Sequence, residues 1–307
     1  MEIIKVKGNT YCIDTGMTYI PFYKISDTEI IMLDSGWATG ERSGITQLFE
    51  ENDLNVVGII NTHSHIDHSG NNAFLKAKYN CTIAMAAVEA HICSSLINLK
   101  LYYSRHSLTG VEKHFGHMVC ETDIMISDTQ NSVYMHGTKF KILHTPGHSP
   151  AHICIITPDD VAYLGDSLIT EQVMKGAKLP YAFVLEEDLK SKEKLYDLKC
   201  SKYIVAHKGV LNDISTLISE NIVFYKSRAA RVYKLISAPM TMEDLMKIVV
   251  KRWNLNIKSP NKYIVIERML RYYVEYLLDT EQIEIIIEDG FLKYQHARKE
   301  KEPYFIV

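Results

Sequence analysis

The 307-residue chain lacks several features, and each lack removes a class of protein. No apolar run reaches the roughly 18 residues that a membrane-spanning helix needs, so no membrane partner is expected. The start, Met1-Glu2-Ile3-Ile4-Lys5-Val6, lacks the basic-then-apolar order of a signal peptide. It reads as a first strand, and the expected location is cytoplasmic. The six cysteines, Cys12, Cys81, Cys93, Cys120, Cys154 and Cys200, are widely separated and form no Cys-x-x-Cys pair. Neither a zinc ribbon nor a disulfide framework is expected from that spacing. Cys154 sits in the apolar run Ile153-Cys154-Ile155-Ile156, as a buried free thiol of a reducing compartment would. The net charge is only −3, so no global field draws in nucleic acid or anionic lipid. Low-complexity linkers and internal repeats are also missing.

What remains is a globular composition, 47% hydrophobic and 23% charged. The length suits one large domain and one small one. In the first part, apolar runs of strand length alternate with helical spacing, which predicts an α/β layer. Tyr19 to Ile25 and Glu29 to Leu33 form a hairpin pattern around Ser26-Asp27. Glu41 to Asn52 has helical spacing, and Val56 to Asn61 and Cys81 to Met85 read as strands. Residues 87–117 read as mostly helical. Glu121 to Ile126, Ser132 to Met135 and Thr138 to His144 read as strands. Ala151 to Thr157 and Val161 to Leu164 make a second hairpin pattern about Pro158-Asp159-Asp160. Leu185 to Leu198 reads as helix and Tyr203 to Ala206 as a short strand.

After residue 212 long helical patterns take over: Ile214 to Ile236, Met242 to Trp253 and Lys262 to Leu278. Thr241 is a candidate N-cap. Asp289-Gly290 between two apolar arms is a hairpin signal. The expected domains are therefore 1–212 and 213–307, the second mainly helical and winged-helix-like.

The chemistry concentrates in Asn61-Thr62-His63-Ser64-His65-Ile66-Asp67-His68, at the end of the Val56–Ile60 strand. Alternate residues at a strand end point to one side, so His63 and His65 can aim into one space. Asp67 and His68 follow in the turn. Imidazole and carboxylate suit zinc, iron or manganese. Further apolar strands each end in one such group: His148 after Pro146-Gly147, Asp166 after Leu164-Gly165, and His207 after Ile204-Val205-Ala206.

These residues resemble the metallo-β-lactamase superfamily, over roughly residues 3–212. The family's His-x-His-x-Asp-His is matched by His63, His65, Asp67 and His68, and its later positions by His148, Asp166 and His207. The resemblance implies an αββα sandwich with two divalent ions, zinc first and iron or manganese as alternatives. It implies His63, His65 and His148 on one ion, Asp67, His68 and His207 on the other, and Asp166 between them. Asp67 is the candidate catalytic residue, orienting the attacking water. His65 stands where the diiron flavoprotein branch has glutamate, and Asp166 where many true β-lactamases have another residue. The 40 residues between Asp166 and His207 leave no room for the extra domain of the β-CASP RNA-processing branch.

Asp34 is expected to support the ligand loop or simply to form a turn, and His152 to support the site or sit in the core. Thr62 and Ser167 are expected to bond locally to backbone. His114, His117 and Cys120, spaced three apart, would share a helix face. Tyr102, Tyr103, Arg105, His106, Lys175, Lys178 and Tyr181 are candidates for the substrate entrance. The leading function is a metal-dependent hydrolase of a small ester, thioester or lactone, as in glyoxalase II-like enzymes. The alternative is a phosphodiesterase or endoribonuclease binding RNA through the C-terminal domain, with Lys258, Lys262, Arg268 and Arg271 as its cations. That domain equally suits a homodimer contact. An iron-dependent oxidoreductase of the same fold ranks third.

Overall fold

The computed structural model describes residues 1–297. The chain divides into two compact units, one of residues 1–176 with 186–222, the other of 177–185 with 223 onward.

The first unit is built on two sheets. Strands β1 (Glu2–Lys7), β2 (Thr10–Asp14), β3 (Tyr19–Lys24), β4 (Glu29–Leu33), β5 (Asn55–Ile60), β6 (Thr82–Ala86) and β7 (Ile124–Ile126) lie side by side in sequence order. The early strands pair antiparallel, and β4 to β7 pair parallel. The second sheet runs β13 (Gly209–Leu211), β12 (Lys202–Val205), β11 (Val161–Tyr163), β10 (Ile153–Ile156), β9 (Thr138–His144), β8 (Ser132–Met135).

Alternation along the strands explains why the sheets stack. Ile31, Leu33, Ile153, Ile155, Val161 and Tyr163 share one buried cluster with Phe140 and Ile60 between the sheets. Their neighbours Ile30 and Met32 turn to the other face, against Ile45, Leu48, Phe49 and Leu75. The first three come from helix α1 (Arg42–Glu51). Two short helices follow, α2 (Ile66–Ser69) and α3 (Asn72–Tyr79), which carries Leu75. Cys154 and Ile156 likewise turn outward onto Leu195, Ile214 and Ile218. Helices thus cover both outer faces, which is the expected αββα sandwich. Fully burying each large apolar side chain contributes about 1.5–3 kcal/mol.

Helices α4 (Ala87–Cys93), α5 (Leu96–Tyr102) and α6 (Leu108–Phe115) fill the expected helical stretch. Ser95 and Ser107 cap the last two by accepting from backbone N–H groups. Two expectations fail nearby. Helix α6 stops at Phe115 and His117 lies in a 3-10 turn, so His114, His117 and Cys120 share no helix face. Residues 121–123 are not strand, because Asp123 turns back to accept from the Ile83 N–H at 2.8 Å.

Helices α7 (Glu171–Gly176) and α8 (Leu185–Lys194) precede β12. The division between units falls within α9 (Ser215–Tyr233), about ten residues after the break expected from the pattern. The second unit adds α10 (Met242–Arg252), α11 (Pro260–Asp279) and the hairpin β14 (Ile283–Glu288) with β15 (Phe291–His296). Thr241 and Asp244 form a capping box on α10. Helix α11 starts two residues before the periodic pattern, because Ser259 caps it and Pro260 sits at its first turn. No helix among the described residues is long and apolar enough to cross a membrane.

Candidate metal centre

The seven ligand-type residues follow four strands. His63 and His65 follow β5, and Asp67 and His68 lie on α2. His148 follows β9, Asp166 follows β11 and His207 follows β12. Two glycines make these exits possible. Gly147 has φ +125°, and a Cβ there would lie 2.0 Å from the Asp188 backbone nitrogen. Gly165 has φ +49°, and a Cβ would lie 2.6 Å from His152 Nε2. Both conformations favour a residue without a Cβ.

The ligand atoms of His63, His65, His148 and Asp166 all lie within 4.8 Å of one another, and those of Asp67, His68 and His207 do likewise. Asp166 faces both groups. Its Oδ2 is 3.3 Å from His148 Nε2. Its Oδ1 is 3.3 Å from His68 Nε2 and 3.4 Å from His207 Nε2. Asp67 Oδ2 is 3.7 Å from His68 Nε2 and 3.6 Å from His207 Nε2. His65 Nδ1 lies 2.8 Å from His63 Nε2 and 3.1 Å from His148 Nε2.

This donor set fits divalent cations. A tetrahedral ion with ligand bonds of about 2.0–2.2 Å separates its ligand atoms by about 3.3–3.6 Å, close to most of these spacings. Nε2 of His68 and Oδ1 of Asp166 are buried and have no hydrogen-bond partner. Buried polar atoms are seldom left so, and both point into the cluster.

The surroundings fix which nitrogen His68 and His63 present. Asp34, with φ +68° and 1% exposure, accepts from His68 Nδ1 at 2.7 Å, leaving Nε2 for the cluster. Asp34 also accepts from the Thr62 N–H (2.7 Å), the Thr62 hydroxyl (2.8 Å) and the Tyr163 hydroxyl (2.8 Å). With its proton committed to Asp34, Thr62 Oγ1 can accept from His63 Nδ1 at 2.9 Å. Tyr102 lies with its hydroxyl 3.0 Å from His65 Nε2. Asp34 is therefore a support for the ligand loop. The Thr62 N–H and hydroxyl bond to Asp34 and His63 side chains rather than to local backbone, because its neighbour's ring needs an acceptor.

His152 is buried, and burial followed by the charge of His148 holds its pKa well below the usual value. As a neutral ring it accepts the Asp166 N–H at Nε2 (3.1 Å) and donates from Nδ1 to Thr145 Oγ1 (2.8 Å). The Ser167 N–H donates to the Leu164 carbonyl at 3.0 Å, the local backbone bond expected, while its hydroxyl donates to Thr145 Oγ1 at 3.1 Å. Of the other candidates, His106 is 8% exposed and packs edge-on against Phe115, and Lys175 is exposed and paired with Glu171. Lys178 and Tyr181 fall in the second unit.

Burial raises the Asp166 carboxyl, but His207, His68 and His148 together hold it well below the usual carboxylate range. Burial lowers His68, yet Asp166, Asp67 and Asp34 push it well above the ordinary histidine value. Asp166 raises His207. Burial lowers His63 far below the usual value and brings His148 down to about 4.

Sequence reading missed Glu89 and Glu41. Both are buried carboxylates that tie loops together, Glu41 by accepting from Thr18 Oγ1 (2.6 Å) and the Trp37 N–H (2.7 Å). For Glu89 the one available signal was its place between Val88 and Ala90; Glu41, between Gly40 and Arg42, carried none.

The sequence profile described as the Metallo-beta-lactamase superfamily matches residues 13–207. The chain belongs to the metallo-β-lactamase superfamily. An uncharacterized protein of Aquifex aeolicus is 32% identical to it over 128 residues, 41% of this chain and 53% of that protein. The hydroxyacylglutathione hydrolase GloC of Haemophilus influenzae is 31% identical over 133 residues, 42% of this chain and 58% of that protein. The chain thus spans little more than half the length of these relatives. A beta-lactamase domain protein from Burkholderia ambifaria superposes with a TM-score of 0.69 at 15% identity, covering 96% of this chain and 95% of that one. A metallo-beta-lactamase family protein from Thermus thermophilus gives 0.66 at 17% identity, covering 94% and 99%. These likenesses establish the fold.

Proposed function

We propose that this metallo-β-lactamase superfamily hydrolase cleaves small thioesters at a binuclear centre. His63, His65 and His148 would hold one ion, Asp67, His68 and His207 the other, and Asp166 both. The observation that carries the reading is the Asp166 carboxylate, whose two oxygens face different imidazole groups at 3.3 to 3.4 Å. Zinc suits this mixture of imidazole and carboxylate donors, and iron or manganese would also accept it. When bound, such ions acidify water and stabilise negative charge growing on a carbonyl oxygen.

The protein's own groups supply the rest. Asp67 is a third exposed at its side chain, so it can face both the cluster and an incoming water. It would orient that water and take its proton. Asp34, Thr62 and His152 keep the imidazoles and Asp166 in fixed orientations, which lowers the reorganisation needed during reaction. A protein nucleophile is disfavoured. Burial pushes the Cys93 thiol to about 12 and also raises Cys154, so neither supplies thiolate near neutral pH.

Thioester preference rests on the relatives named hydroxyacylglutathione hydrolase. Lactone or simple ester hydrolysis uses the same groups. The RNA reading has weaker support. Within the second unit Arg271 pairs with Glu267 at 2.6 Å, and Arg268 donates to Tyr272 at 2.9 Å. Lys258 and Lys262 remain exposed. A panel of acylglutathione thioesters, lactones, phosphodiesters and single-stranded RNA tests the proposal. Thioester turnover that exceeds the others by orders of magnitude is expected. RNA cleavage without thioester turnover would replace it with the nuclease reading.

A further inference from the structure

Glu89 lies on α4, just after β6, and is fully buried. Its two carboxylate oxygens serve different loops. Oε2 accepts from the Ser64 N–H at 3.0 Å and from the Ser64 hydroxyl at 2.5 Å. Oε1 accepts from the Ser149 hydroxyl at 2.7 Å and from the Ala151 N–H at 2.8 Å. Ser64 stands between His63 and His65, and Ser149 directly follows His148. One carboxylate therefore clamps the backbone beside all three histidines of the first group. None of its bonds reaches Asp67, His68 or His207, where Asp34 holds the His68 ring instead.

We propose that Glu89 is the positioning residue of the first metal-binding group, setting the separation of the His63–His65 loop from the His148 loop, and that it acts on that group alone. The inference rests on the binuclear reading. The chemistry requires glutamate rather than glutamine. Four donors converge on Glu89, and two of them are backbone N–H groups that cannot turn round to accept. In Glu89→Gln the amide nitrogen must face either the Ser64 N–H or the Ala151 N–H, so one loop loses its anchor whichever way the amide sits. The hydroxyls can rotate to accept from the amide, which leaves the buried side chain otherwise accommodated. A short cross-link between two loops transmits any change directly to the spacing of three imidazoles. Supporting residues of this kind typically change metal affinity by about 10- to 100-fold.

The test is cobalt(II) titration of the full chain after metal removal, followed by its visible absorption and by chelator competition. His148→Ala and His207→Ala identify which binding step belongs to which group. Glu89→Gln should weaken the step that His148→Ala abolishes by about 10- to 100-fold and leave the other within twofold. Ser149→Ala removes one bond of the clamp and should weaken the same step by a smaller factor. That variant decides the matter if Glu89→Gln does not fold. Unchanged affinity in both variants, or equal loss at both steps, overturns the inference. If the wild-type chain binds only one cobalt, the binuclear reading itself has failed, and that result is seen before any Glu89 variant is made.

Discussion

Gly147→Ala should be among the most damaging small substitutions in the chain. The residue has φ +125°, and an added Cβ would sit 2.0 Å from the nitrogen and 2.2 Å from the Cα of Asp188. Backbone strain in such a glycine-only region costs about 1–3 kcal/mol. Overpacking against atoms that cannot rotate away adds about 1–3 kcal/mol, so the total is about 2–6 kcal/mol. The obstructing backbone belongs to α8, whose Ser191 hydroxyl donates to the Pro146 carbonyl at 2.6 Å, so helix and loop are tied together beside the overlap. Relieving the overlap means parting α8 from the loop that carries His148 and straining that bond. Gly137→Ala is the matched control: φ is +77°, with nothing within 4 Å of the added carbon. Only the left-handed backbone penalty applies there, about 1–2 kcal/mol. Urea unfolding of the metal-free protein, followed by Trp37 fluorescence in a Trp253→Phe background, reports the first unit. If Gly147→Ala is no less stable than Gly137→Ala, the close packing of the His148 loop on α8 is refuted.

Further outcomes follow from the same geometry. Metal-free stability should peak near pH 6.5, the ordinary histidine pKa. Below it, His63, His148 and His152 resist protonation in the folded state, so stability falls as the unfolded chain takes up protons. Above it, the raised His68 and His207 lose protons that the folded state favours, so stability falls again. A monotonic rise in unfolding midpoint from pH 5 to 8 would contradict those directions. Metal binding should release protons near neutral pH, because His68 and His207 must shed theirs; calorimetry in buffers of different ionisation enthalpy measures the number. Lys192→Met should destabilise by about 3–5 kcal/mol by leaving the Asp188 carboxylate buried without its partner, read as a shift in urea midpoint. His148→Ala and Asp166→Ala should abolish hydrolysis while circular dichroism stays near that of the wild type; near-normal turnover in either would sink the mechanism.

The site was legible because ligand chemistry and strand periodicity coincide. His63, His65, His148, Asp166 and His207 each follow an apolar strand, and a sandwich brings such ends together. What could not be read is what depends on distance between remote segments. Glu89 looks like any acidic residue early in a helix until the fold sets it between Ser64 and Ser149. Thr62 looked like a backbone-bonding turn residue because Asp34, 28 positions earlier, was not yet beside it. His114, His117 and Cys120 fit helical spacing, but helical spacing does not say where a helix ends, and α6 ends at Phe115. Near Asp123 a turn displaced an expected strand because a carboxylate found a backbone donor on another strand. In the second unit the helices and hairpin were marked by caps and by Asp289-Gly290, signals that are local by nature.

The central claim is that seven side chains from beyond four strand ends form one binuclear centre. Elemental analysis of the wild-type, His148→Ala and His207→Ala chains, each purified without added metal, tests it most directly. About two divalent ions per wild-type chain and about one in each variant are the numbers that a two-ion site requires. A wild-type chain with a single ion, or variants that keep both, would contradict it.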